Sequence, residues 1–183
     1  MFQRCTDKAR DVVGFAVQEA SAAKQRSAGS CELFLGLLRE PAHAAGHMLT
    51  DLALPPNLIE PVVRERIRPG GVRPDESMET IGPSTSEATV NALLAPGGRR
   101  ILDVAWDEAQ LLGCTYVGTE HLLIALVSDA KLLPGRILQE MGLDLDMARE
   151  SAAKWLGADT NPPTLLEAPS SDPPSRDAGS REK

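Results

Sequence analysis

Two stretches of the chain carry an unbroken run of apolar residues behind a short polar start. They are residues 28–38, AGSCELFLGLL, and residues 117–127, VGTEHLLIALV. A glycine and a hydroxyl residue precede each apolar run, and we expect Ser30 and Thr119 to cap a helix. A helix that is apolar on every side cannot face water. Both stretches therefore predict the buried central helix of a small bundle.

The flanking sequence repeats in the same register. Glu19 and Glu108, and likewise Leu49 and Leu138, are identical residues that lie 89 positions apart, and no gap is needed between them. Apolar residues recur at helical spacing before and after each buried helix. An internal repeat of this kind indicates a duplicated supersecondary unit. We expect an all-α fold of two four-helix repeats, each with its own core.

Proline, glycine and charged residues divide the chain into four parts. We place repeat 1 at residues 1–67, a linker at 68–93, repeat 2 at 94–157 and a tail at 158–183. The end of the linker predicts a short extra helix, because Ser86 is a good cap and the apolar residues behind it share one face. The tail is rich in proline and nearly free of apolar residues, so we expect it to be disordered.

Composition limits the partners. The chain has 183 residues, 42% of them hydrophobic, which is enough to bury a core. Its formal net charge of −7 and pI near 5.0 argue against nucleic acid, whose phosphates require Lys and Arg. We expect no membrane span, since the longest apolar run is far below the roughly 18–20 residues that a span needs. The first residues contain no apolar signal core, so the cytoplasm is the expected location.

Motifs for catalysis and cofactor binding are missing from the sequence. It contains no GxxxxGK[ST] loop, no GxSxG elbow and no HExxH pair. Cys5, Cys31 and Cys114 lie far apart and form no CxxC, which favours reduced thiols. His43 and His47 lie four apart, but no third ligand accompanies them, which favours a polar helix face over a metal site. We therefore expect no enzyme activity, no cofactor and no metal.

The residues behind Thr119 are open to several interpretations. Glu120 is expected at the first helical position, where the helix dipole favours a carboxylate. It either serves the helix start alone or binds a cation. His121 is a capping, a surface or a functional residue. Trp106 and Trp155 recur at helical spacing, which favours packing in the core over stacking on a ligand.

These features together resemble a known family. The repeat, the GTEHLL sequence at 118–123, the Tyr116-Val117 before it and the MFxR start at 1–4 are similar to the N-terminal Clp repeat domain of ClpA/ClpC-type chaperones. The resemblance spans about residues 1–157. It implies a pseudo-twofold module of two four-helix repeats that binds adaptors and substrate segments for ATPase rings. No ring sequence is present here, so we expect a free-standing double-repeat protein.

The resemblance implies two alternative functions. The first is a non-catalytic peptide- or protein-binding module that acts as an accessory or modulator of Clp chaperone-protease substrate recognition. Its partners would be Clp ATPase or protease subunits and adaptor or substrate peptides. The second is a decoy that sequesters antibacterial cyclic peptides, because such compounds target ClpC-type N-terminal domains.

The resemblance also implies a ligand groove between the repeats. Its residues are expected to be Phe2, Arg4, Thr6 and Leu94. Phe2 matches the position at which the family exposes an aromatic side chain. The alternative is that Phe2 folds onto the bundle, since single apolar residues at the surface are ordinary.

In ClpC-type relatives the glutamate of each TEH helps to bind phosphorylated arginine, and this implies a site at Thr119 and Glu120. A carboxylate pairs well with a guanidinium, while a helix start suits the phosphate. In the first repeat Cys31 stands where the glutamate would be and supplies no charge. Glu32 points about 100° further around the helix. We therefore expect one weak arginine or phosphoarginine site rather than two.

Overall fold

The computed structural model describes residues 2–67 and 86–158, and within them the chain is helical and has no strand. Most of the predicted linker, residues 68–85, and the predicted tail from residue 159 lie outside the described residues. Within the described ranges no helix combines the length and the apolar character that crossing a bilayer requires.

Each repeat contains four main helices behind a short leading segment. The first has a 3-10 turn (Phe2–Arg4), α1 (Asp7–Ala22), α2 (Ser30–Arg39), α3 (Ala44–Asp51) and α4 (Pro56–Arg66). The second has a short helix α5 (Glu87–Leu93), α6 (Pro96–Leu111), α7 (Thr119–Ser128), α8 (Leu133–Glu140) and α9 (Leu145–Ala158). The predicted all-α fold with two related four-helix repeats is confirmed. Helix α5 lies where the end of the linker predicted a short helix, and the domain boundaries stay predictions.

The two central helices are the most buried elements of the molecule. Every residue from 119 to 127 in α7 and from 32 to 38 in α2 is buried. The apolar side chains of both repeats form one continuous cluster. The expectation that each repeat has its own core is therefore wrong. The physical reason is that a helix apolar on all sides needs cover from both repeats.

The leading segment of each repeat pairs with the other repeat. Cys5 forms an isolated parallel bridge with Val117, and Leu94 forms the matching bridge with Ala28. The N–H of Val117 donates to the carbonyl of Arg4 at 2.8 Å, and the N–H of Ala28 makes the equivalent bond, also at 2.8 Å. Both pairs obey the same 89-residue offset. The two repeats are thus joined reciprocally around a pseudo-twofold axis.

An ion pair joins the first and fourth helices of each repeat. Arg64 of α4 binds the carboxylate of Glu19 through two nitrogens at 3.0 and 3.1 Å. Arg149 of α9 binds Glu108 in the same bidentate way at 2.9 and 2.6 Å. The glutamate that recurs in the sequence repeat therefore has the same structural role in both units.

Candidate peptide-binding site

A cavity of about 430 Å³ opens at the start of α7, where elements of both repeats meet. The second repeat contributes the residues around the start of α7 and the end of α9, and the first contributes the starts of α1 and α3. The lining residues are Thr6, Lys8, His43, Ala44, Tyr116, Gly118, Thr119, Glu120, Trp155 and Leu156. Three predicted site residues, Thr6, Thr119 and Glu120, therefore share one cavity.

The start of α7 differs from the prediction in its cap. Gly118 is the N-cap, Thr119 is the first helical residue and Glu120 is the second. The prediction that Ser30 and Thr119 cap their helices is wrong, because the glycine before each adopts the extended backbone of a cap. The Thr119 hydroxyl instead accepts a hydrogen bond from the N–H of Ala45 at 3.3 Å. It thereby ties α7 to the start of α3.

Glu120 is the buried acid of this cavity. It is 5% exposed, and its side chain folds back over Gly118, where an added Cβ would lie 2.0 Å from Oε1. A Cβ at this position would displace the carboxylate from where it lies. Among the described residues, no ion pair joins Glu120 to a lysine or an arginine. The carboxylate lies at the positive end of the helix dipole without a cationic partner.

The buried side chain of His121 provides the hydrogen-bond acceptor for the backbone at the start of α7. Its Nδ1 accepts a hydrogen bond from the N–H of Gly118 at 3.0 Å, and the ring is fully buried. Glu120 Oε1 lies 3.1 Å from the same nitrogen. A ring nitrogen that accepts from a backbone N–H has no proton to share with a carboxylate. His121 therefore has the capping role and leaves the charge of Glu120 uncompensated.

The matching helix start in the first repeat has different chemistry. Glu32 takes the place of His121, and its Oε2 accepts a hydrogen bond from the N–H of Gly29 at 2.9 Å. Cys31 takes the place of Glu120. Burial raises the pKa of the Cys31 thiol to about 11, and the neighbouring carboxylate adds to the shift, so the thiol is uncharged at neutral pH. The first repeat keeps the cap and lacks the acid.

The other predicted groove residues lie away from the cavity. Phe2 and Leu94 are 3% and 2% exposed, because both belong to the leading segments that pair with the opposite repeat. The expected exposure of Phe2 is wrong, and its alternative, folding onto the bundle, is what the structure has. Arg4 is exposed, and its guanidinium lies 4.2 Å from the ring centre of Trp106. Of the four residues only Thr6 reaches the cavity.

His43 lines the cavity as the cap of α3 and does not lie on a polar face. It is 6% exposed. Its Nδ1 accepts from the N–H of Gly46 at 3.2 Å, so Nε2 carries the proton and donates to the carbonyl of Leu37 at 2.9 Å. Burial lowers the pKa of His43, against the opposing effect of the Leu37 bond. Both ring nitrogens are thus occupied and do not pair with His47 around a metal.

Lys8 and Trp155 line the cavity and were not predicted as site residues. Trp155 lies at the edge of the core, where its indole stacks on the ring of His47 with centroids 5.1 Å apart. Its Nε1 donates to Asp51 Oδ2 at 3.3 Å. Lys8 binds Glu40 at 2.9 Å. Helical spacing marked Trp155 as a packing residue, and it could not show that α9 meets α3 of the other repeat.

A known protein family matches most of the chain. The Clp repeat (R) N-terminal domain family matches residues 4–141 and, in a second match, residues 98–163. The chain belongs to this family. The resemblance inferred from the duplication and from the sequence at 118–123 is confirmed.

The relatives of this Clp repeat chain are longer proteins. It is 30% identical over 158 residues to the negative regulator of genetic competence ClpC/MecB of Bacillus subtilis (strain 168). It is 29% identical over 158 residues to the chaperone protein ClpB of Oceanobacillus iheyensis. Each alignment covers 86% of this chain and 18% of the relative, so the chain spans less than a fifth of their length.

A solved structure shows the same fold. The crystal structure of the N-terminal domain of the chaperone ClpD from Arabidopsis thaliana superposes with a TM-score of 0.58. The match covers 86% of this chain and 97% of that domain, at 19% sequence identity. At this identity the likeness defines the fold alone.

Proposed function

We propose that this Clp repeat chain is a non-catalytic module that binds arginine-containing peptide or protein segments and modulates Clp chaperone-protease substrate recognition. Membership of the Clp N-terminal domain family supports this role, as do relatives that are named Clp chaperones. The proposed partners are Clp ATPase or protease subunits and adaptor or substrate peptides.

The Glu120 carboxylate is the observation that carries the proposal. A buried charge without a partner is costly, because it has lost water and gained no compensating contact. A ligand cation that enters the cavity would remove this cost. A guanidinium suits the position better than an ammonium, because its planar fork matches both carboxylate oxygens.

The surroundings of Glu120 also suit an anion attached to that guanidinium. The first N–H groups of a helix have no partner within the helix, and the dipole there favours negative charge. Lys8, whose ammonium group pairs with Glu40 at 2.9 Å, lines the same cavity. A phosphorylated arginine would place its guanidinium at Glu120 and its phosphate near the N–H of Thr119. We propose one such site, since Cys31 supplies no carboxylate in the first repeat.

Calorimetric titration of the full chain tests the site. The ligands are a Gly/Ser peptide with one arginine and the same peptide with phosphoarginine. We expect one site, and at least a tenfold loss of affinity in Glu120→Gln, because removing one partner of a buried charge pair is costly. Glu32→Gln removes the acid at the matching helix start and is expected to bind normally. Two equal sites, or full binding by Glu120→Gln, would overturn the proposal.

Affinity capture tests the modulator role. The full chain, immobilised, is expected to retain Clp ATPase or protease subunits from a lysate, and Glu120→Gln is expected to retain less. If the chain instead binds an antibacterial cyclic peptide tightly and retains no Clp subunit, the decoy function is the better account.

A further inference from the structure

A second cavity, of about 420 Å³, lies between α3 and α9. Asp51, Leu52 and Met147 are among its lining residues. Trp155 lines this cavity and also the one at Glu120, so the indole is a wall that the two cavities share. Its contacts with His47 and Asp51 hold that wall in place.

Asp51 gives the second cavity an acid that no cation neutralises. Its Oδ2 accepts a hydrogen bond from the uncharged indole of Trp155. Within residues 2–67 and 86–158, no lysine or arginine forms an ion pair with it. The other charges of the cavity, Glu150 and Lys154, pair with each other at 2.9 Å. The cavity is therefore negative.

The walls suit the rest of an arginine side chain. Leu52 and Met147 are apolar, and Met147 is exposed to the solvent. An arginine covers apolar surface with its aliphatic stem, stacks its guanidinium on an aromatic face and pairs with a carboxylate. The cavity offers all three partners in Met147, Trp155 and Asp51.

The place that the pseudo-twofold axis relates to this cavity has neither an unpaired acid nor an aromatic wall. Arg66 stands at the position of Trp155, and Glu140 stands at the position of Asp51. Arg66 and Glu140 form an ion pair with each other. The acid there is neutralised, and the aromatic wall is absent. Among the described residues, the matching place therefore lacks the unpaired acid and the aromatic wall that Asp51 and Trp155 provide.

We infer that the cavity between α3 and α9 is a second arginine subsite for the same peptide that binds at Glu120. The inference rests on the proposed function, because the first arginine anchors the peptide. It narrows the ligand class to segments with two nearby arginines, one on each side of Trp155.

Fluorescence anisotropy with the full chain tests this inference. One labelled Gly/Ser peptide carries a single arginine, and others carry two arginines about one to six residues apart, since an extended chain reaches about 3.5 Å per residue. A peptide with two arginines can occupy the Glu120 site in two ways, which alone raises the apparent affinity up to twofold. We expect about a five- to tenfold gain at the best spacing, the scale of exposed ion pairs and cation–π contacts.

Asp51→Asn removes the charge and keeps an oxygen for the indole N–H of Trp155. We expect this variant to reduce the affinity gain from the second arginine to twofold or less. The affinity of the one-arginine peptide is expected to stay unchanged. Glu140→Gln, the matched control, is expected to keep the gain. A wild-type gain no larger than twofold at every spacing, or a full gain in Asp51→Asn, would overturn the subsite and leave the Glu120 site standing. If the one-arginine peptide does not bind at all, the proposed function fails and the subsite with it.

Discussion

The starts of α2 and α7 have the same backbone arrangement and different chemistry. In both, a glycine caps the helix and its N–H is satisfied by the third helical residue, Glu32 in one repeat and His121 in the other. The second helical residue is an uncharged thiol in α2 and a buried acid in α7. The capping position accepts any side chain with a suitable acceptor atom. The position that faces the cavity decides which ligand can bind.

The largest effect is expected where the two repeats are the same, in their shared core. Leu37 and Leu126 are matching buried residues of α2 and α7. Either Leu→Ala change is expected to cost about 2–5 kcal/mol, through the lost burial and the cavity left behind. Urea unfolding is expected to show a single transition for each variant, because one apolar cluster spans both repeats. Separate transitions for the two halves would contradict the shared core.

The leading segments of the two repeats differ in the burial of one matching residue. Phe2 is buried, whereas Asn91, the residue 89 positions later, is exposed. We expect Phe2→Ala to reduce the free energy of unfolding by about 3 kcal/mol, because the ring loses its burial. Asn91→Ala is the matched control and is expected to change it by less than about 0.5 kcal/mol. A stable Phe2→Ala variant with weakened peptide binding would restore the groove interpretation.

The sequence predicted the helices and their duplication, because helical spacing is a local property and the 89-residue offset relates the two copies directly. The apolar runs that end at Leu38 and Val127 predicted two buried helices. Glycines and prolines predicted where most of the other helices end. The shared core was not predicted, because the pattern shows which face of a helix is buried and not which neighbour covers it. The burial of Phe2 was not predicted for the same reason, because the sequence does not show which part of the fold covers its side chain.

The candidate site was predicted only in part, for a related reason. Glu120 was identified from the motif and from the physics of helix starts. His43 was assigned to a surface because its burial comes from α2, whose Leu37 carbonyl it contacts through the tertiary fold. Trp155 was assigned to the core because helical spacing cannot distinguish a core aromatic from one that lines a cavity.

The difference between the helix starts can be reduced by one substitution. Cys31→Glu places a carboxylate at the position that matches Glu120, and we expect calorimetry with the phosphoarginine peptide to show a second, weaker site. It should be weaker because Arg66 stands where the other side has Trp155. Cys31→Gln has a similar size without the charge and is expected to leave one site. Equal stoichiometry in both variants would show that the acid alone does not make the site.

The smallest effect is expected from the cap of α3. Burial lowers the pKa of His43 below its ordinary value of 6.5, so the unfolded chain binds this proton more readily than the folded chain. Stability from this group is therefore complete above that pH and declines as the pH falls below it. Leu132 caps the matching helix α8 and cannot titrate. Melting temperatures between pH 5 and 8 are expected to fall less steeply on acidification in His43→Asn than in the wild type. Parallel curves would exclude His43 as the source.

Cys5 pairs with Val117, and Leu94 pairs with Ala28. Each repeat therefore supplies backbone hydrogen-bond partners that the other repeat would lack on its own. A chain holding one repeat alone would leave these backbone groups unpaired, and a second copy could supply them across a true twofold axis. In such a homodimer both helix starts would be encoded by one stretch of gene, and a substitution in one would appear in the other. Joining two copies in a single chain removes this coupling. One start can then lose its acid while the other retains it.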